Sequence, residues 1–132
     1  MSKALTSASA TATFERFVAA INRHDVDALV MLMTPDHLFV DSLENQTRGA
    51  EPMRAAWQMY FAMCPDFAIS VKLMLSEQQS VVAVGEAGGT ILDTAWHTPA
   101  AWHAVIREAQ VAEWRVFADN KAVCDILAHQ QG

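Results

Sequence analysis

The chain has 132 residues, 52% of them hydrophobic and 18% charged, with a formal net charge of −6. That length makes one domain and hardly two. An acidic chain with no basic run lacks the footprint of a nucleic-acid binder, and no apolar run reaches the roughly 18 residues a membrane span needs. The apolar excess argues for a sizeable core, an internal cavity or a covered interface. Cys64 and Cys124 stand far apart, with neither CxxC nor Cys/His ligand spacing. They are expected as free core thiols of a cytoplasmic protein. The opening MSKALTSASATA has one lysine and no long apolar stretch, which makes a poor signal peptide.

Residues 1–12 are small and polar and are expected to form a flexible tail, leaving 13–132 as a single domain. A first helix is predicted from Thr13, with Phe14, Phe17, Val18 and Ile21 on one face. Asn22-Arg23-His24-Asp25 breaks it, and Asp25 can cap a second helix with the stripe Val26, Leu29, Val30 and Met33. Thr34-Pro35 ends that helix, because the residue before proline avoids the α region. His37 to Ser42 reads as a buried strand that carries a carboxylate, Asp41, at its end. An unpaired buried charge costs several kcal/mol by order of magnitude, so Asp41 must reach solvent, find partners, or be used.

ENQTRG is a loop, and Ala50-Glu51-Pro52 opens a third helix with proline in its first turn. Its stripe is Met53, Ala56, Trp57, Tyr60 and Phe61, and Cys64-Pro65 stops it. The period then changes from 3.6 to 2. Phe67, Ile69, Val71, Leu73 and Leu75 are expected on one buried face of a long strand, followed by a strand from Ser80 to Glu86. Gly88-Gly89 marks a bend or bulge, and ILDTAWHTP reads as a longer connection, a candidate lid or rim. Strands from Ala100 to Arg107 and from Val111 to Ala118 follow, then a short closing helix after Asp119-Asn120. Helices first and a meander of long strands afterwards make an α+β domain with helices packed on one face of a curved sheet.

Three pieces, FVAAINRHDVDALVMLMTPDHLFVDS, TRGAEPMRAAWQMYF and AEWRVFADN, carry a resemblance over about residues 13–128. The chain resembles the nuclear transport factor 2-like superfamily, which includes SnoaL-type polyketide cyclases and ketosteroid isomerases. The resemblance implies a cone-shaped barrel, with N-terminal helices on a curved, mostly antiparallel sheet that encloses a pocket. It also implies a homodimer through the outer sheet face, where Glu113, Arg115, Phe117, Val105 and Arg107 alternate outward. It places the isomerase's general base on Asp41, Phe17 where the oxyanion tyrosine would stand, and Trp102 near the protonated acid. With the proton-transfer carboxylate kept and the enolate-stabilising pair absent, a true steroid isomerase is not expected.

Asp41 and His37, on the same strand face, are the candidate catalytic residues. As alternatives, Asp41 bonds the following loop or pairs with Arg48, and His37 is a pocket-floor residue. Phe17, Phe39, Trp57, Tyr60, Trp102 and Trp114 are the candidate ligand-binding residues, unless the tryptophans fill the cone outright. No residue set has the spacing of a metal site, and no cofactor is implied. The expected partner is a small hydrophobic molecule, with no nucleic acid and no membrane. The function so read is isomerase, cyclase or dehydratase chemistry by Asp41 on a small carbonyl or polyketide-like compound. A non-catalytic binding or dimerising module is the alternative.

Overall fold

A computed structural model describes residues 3–119 and 121–131, with side chains from 10 to 119 and from 121 to 128. In chain order the elements are α1 (Lys3–Arg23), α2 (Val26–Met31), β1 (Met33–Val40), β2 (Gln46–Arg48), α3 (Ala50–Met63), β3 (Ala68–Glu77), β4 (Ser80–Ile91), β5 (Thr94–Arg107), β6 (Gln110–Ala118) and α4 (Lys121–Gln131). The six strands form one curved, open sheet in the order β2-β1-β6-β5-β4-β3. Every neighbouring pair is antiparallel except β1 with β6, which is parallel. This is the expected α+β cone. No helix among the described residues is long and apolar enough to cross a membrane.

Helix α1 begins at Lys3 rather than Thr13. Alanines favour the helix, and Ala10, Thr13, Phe14, Phe17, Ala20 and Ile21 make one continuous buried stripe. Thr13 therefore lies inside the helix instead of capping it; of the expected tail, residues 1 and 2 fall outside the described ones. His24 ends α1 at φ 57°, its ring stacked on Phe61 at 4.1 Å. Asp25 caps α2 as expected, accepting from the Ala28 N–H at 3.0 Å. Asn22 fastens α1 to β3 by two bonds, donating to the Ile69 carbonyl and accepting from the Ile69 N–H.

The sheet departs from the sequence reading in four places. Strand β1 starts at Met33, ahead of Pro35, and its pairing to β6 is irregular between Met33 and Leu38. Proline fits there because a bulged segment needs no ladder N–H. The ENQTRG segment contains β2, paired antiparallel to β1. On β3 a bulge at Lys72 intervenes, since Val71 faces Gly85 while Leu73 faces Val84. One extra residue flips the alternation. Leu73 and Leu75, expected inside, are 54% and 64% exposed, and Met74 turns toward the core instead. Finally, ILDTAWHTP is not a lid. β4 and β5 pair without a break from Ser80–Val105 to Ile91–Thr94, joined by a two-residue turn with Leu92 and Asp93 both at positive φ. Gly89 does not bend the chain. A Cβ there would strike the Cys64 sulfur and crowd Asp66, so glycine lets the α3–β3 connection lie against β4. Cys64 is buried as expected, whereas Cys124 is exposed rather than in the core, and both are free thiols.

Candidate active site

Strand β5 lines the interior with strict alternation. Trp96, Thr98, Ala100, Trp102, Ala104 and Ile106 are all buried. Alanine at 100 leaves room that the indoles of Trp96 and Trp102 on either side do not fill. Opposite, α3 presents Met53, Ala56, Trp57 and Tyr60, and α1 adds Ile21. Between them lies a cavity of about 270 Å³, whose other walls are Phe39, Asp41, Ser42, Phe67, Ile69, Ala87, Trp114, Val116 and Ala118. The cone is thus lined by all four tryptophans without being filled by them.

Asp41 stands at one end of this cavity, just past the end of β1. The parallel pairing puts Val40 beside Arg115, so the C-terminal ends of β1 and β6 arrive together. The Asp41 carboxylate is half-buried. Its Oδ1 accepts from the backbone N–H groups of Leu43 and Asn45, both at 2.9 Å. Its Oδ2 accepts from the Asn45 side-chain amide at 3.1 Å. A carboxylate offers roughly four acceptor positions, so one remains for a guest. Arg48 is not its partner; that guanidinium donates to the Asp36 carbonyl. Asp41 is the one formally charged residue among those lining the cavity, and no lysine, arginine or histidine joins it there.

Of the residues singled out from sequence, the structure brings Asp41, Phe39, Trp57, Tyr60, Trp102 and Trp114 to one cavity. Phe17 and His37 are not among its walls. Phe17 is fully buried and packs against Trp114, with ring centroids 4.7 Å apart, and against His37 at 6.2 Å. His37 is equally buried. Its Nδ1 donates to the Val111 carbonyl at 2.7 Å, while Nε2 has no partner among the described residues. Burial holds its pKa below the usual imidazole value. Burial likewise pushes the Tyr60 hydroxyl far above the ordinary phenol value, so it stays protonated as a donor. The Trp57 indole N–H is buried without an acceptor among the described residues.

Sequence reasoning left Trp96, Phe67, Ser42 and Thr98 out of the site. The alternation Trp96, Thr98, Ala100, Trp102 was available, but the two glycines before it suggested a loop. No cluster of three or more His, Cys, Asp or Glu side chains able to hold a metal occurs among the described residues.

A model of the SnoaL-like domain family matches residues 14–124. The chain belongs to the SnoaL-like domain family. No curated protein matches its sequence. Solved structures reproduce the fold at low identity. A protein described as a SnoaL-like polyketide cyclase, from Jannaschia sp. CCS1, is 21% identical, with a TM-score of 0.79 over 89% of this chain and 90% of the other. One described as a polyketide cyclase, from Xanthomonas campestris pv. campestris, is 14% identical with a TM-score of 0.82, covering 89% and 96%. An LEH-like epoxide hydrolase of M. tuberculosis is 13% identical with a TM-score of 0.79, covering 86% and 84%. This SnoaL-like chain shares their fold, and fold alone does not assign a reaction.

Proposed function

We propose that this SnoaL-like protein is a cofactor-free proton-transfer enzyme acting on a small, largely apolar carbonyl compound, with Asp41 as the general acid/base. The observation that supports it is the position of Asp41, the only formal charge among the described residues on the wall of a largely apolar and aromatic cavity. The carboxylate takes a proton from the carbon next to the carbonyl and leaves an enolate. Where the substrate has a β,γ carbon–carbon double bond the anion is a dienolate, and the same proton, now on Asp41, returns to the γ-carbon as the double bond moves into conjugation with the carbonyl, which is an isomerisation. Alternatively the enolate carbon bonds to a second carbonyl carbon of the same molecule, and the proton goes to the new alkoxide, which is a cyclisation. The Trp57 N–H, which lacks an acceptor among the described residues, is a donor available to the carbonyl oxygen. His37 has no direct part in this scheme.

The test needs no knowledge of the natural substrate. Hydrogen–deuterium exchange next to the carbonyl of cyclohexanone and larger cyclic ketones is followed by NMR in D₂O. Wild type accelerates exchange and Asp41→Asn does not; equal rates overturn the proposal. One observation favours a second reading, binding without chemistry: three of the Asp41 acceptor positions face the loop after β1. That reading expects ketone binding in both proteins and exchange in neither.

The outer sheet face suits a second copy of the chain. Leu73 pairs with Val84 and Leu75 with Val82 across β3 and β4, and the row continues through Ala101 to Phe117. Leu73, Leu75, Val82, Val84 and Phe117 are all exposed, with the pairs Lys72–Glu86 and Glu113–Arg115 beside them. An apolar centre with a charged rim is the anatomy of a protein interface.

A further inference from the structure

We infer that the cavity selects a positively charged guest, a compound carrying a tertiary or quaternary alkylammonium group. The inference rests on reading the cavity as a substrate site and names the substrate class.

The first ground is the wall itself. Phe39 and Trp57 meet at 72° with centroids 6.3 Å apart. Trp57 and Tyr60 meet at 86° and 6.5 Å, and Tyr60 and Phe67 at 85° and 4.9 Å. These edge-to-face contacts join Phe39, Trp57, Tyr60 and Phe67 into one continuous aromatic wall of the cavity. Each face carries the negative part of the ring quadrupole and attracts a cation.

The second ground is charge. The Asp41 carboxylate makes no ion pair among the described residues, and its hydrogen bonds come from uncharged amides. Among the described residues no cationic side chain lines the cavity, so an anionic guest would enter against Asp41 with none of them to offset its desolvation. A cation meets one carboxylate and an aromatic wall. The chain's net charge of −6 acts in the same direction. The chemistry gains as well. Proton removal next to a carbonyl creates an enolate that no side chain in the cavity neutralises, and an ammonium on the same molecule supplies that positive charge.

All four tryptophans line the cavity, so intrinsic fluorescence reports occupancy directly. The probes are choline and its uncharged isostere 3,3-dimethylbutan-1-ol, titrated at equal ionic strength. Choline should bind roughly tenfold or more tighter than the alcohol. Asp41→Asn and Trp57→Leu should each narrow that ratio severalfold, choline losing more affinity than the alcohol. If Trp57→Leu fails to fold by far-UV circular dichroism, Asp41→Asn alone decides. Equal or tighter binding of the alcohol overturns the inference, and so does an absence of choline binding. A cavity that takes the alcohol alone, with ketone exchange still dependent on Asp41, removes the cation and keeps the proton-transfer reading. Choline selectivity without any exchange does the reverse.

Discussion

Asn45 grips Asp41 from two directions, its backbone N–H on Oδ1 at 2.9 Å and its side-chain amide on Oδ2 at 3.1 Å. The backbone between them closes the turn, with the Asp41 N–H donating to the Asn45 carbonyl at 3.0 Å. The carboxylate is thereby fixed in orientation at the cavity's edge. Asn45→Ala removes the amide and keeps the carboxylate. We expect about 1 kcal/mol of lost stability by urea denaturation and a severalfold slower ketone exchange with the binding of ketone little changed. Unchanged exchange would show that the orientation of Asp41 does not matter to turnover.

His37 makes stability depend on pH. Its pKa is lowered in the folded protein by burial, while the unfolded chain titrates near 6.5. Below about 6.5 the unfolded state takes up a proton that the folded state refuses, so stability falls as pH drops from 6.5 toward the folded value and is fully present above it. Denaturant midpoints at pH 7.5 and pH 5.5 should differ, and His37→Asn should reduce the difference. Identical pH dependence in the two proteins would refute this account.

Gly85 sits opposite the β3 bulge, where an added Cβ would fall well inside contact with the Ser70 carbonyl oxygen. Gly85→Ala must push β3 away from β4 or undo the bulge. A loss of roughly 1–3 kcal/mol is expected, measured by denaturant unfolding; a neutral substitution would mean that the bulge relaxes freely.

The pairs Leu73–Val84 and Leu75–Val82 lie at the centre of the proposed contact between copies. Sedimentation equilibrium should give a dimer for wild type and a monomer for Leu73→Lys combined with Val84→Glu, with the fold retained. A wild-type monomer at tens of micromolar would dismiss the interface.

The helices, their order and the acid after β1 were legible because periodicity and punctuation agree there. Asp25 caps, Pro52 opens and Cys64-Pro65 closes, each through a local interaction. The failures are non-local. Nothing local in Val71-Lys72-Leu73 announces a bulge, since the cause is the close passage of Ser70 over Gly85 on another strand. The glycines at 88 and 89 looked like a bend because their reason lies in the sequence-distant Cys64, Asp66, Trp96 and His97. The resemblance points to Phe17 and the shared strand face with Asp41 points to His37, but neither lines the cavity. Trp114, from the last strand, lines the cavity while both of them pack in the core.

The parallel seam between β1 and β6 has a consequence for the order of assembly. His37 bonds Val111 across 74 residues of chain, and Asp41 reaches the cavity only when β1 has that neighbour. During synthesis the N-terminal helices and the first acid emerge long before the strand they require. Contacts of such separation form slowly. The corner around Asp41 is therefore among the last parts of the molecule to exist, and until β6 docks, the inner edge of β1 stands open to any other strand that passes.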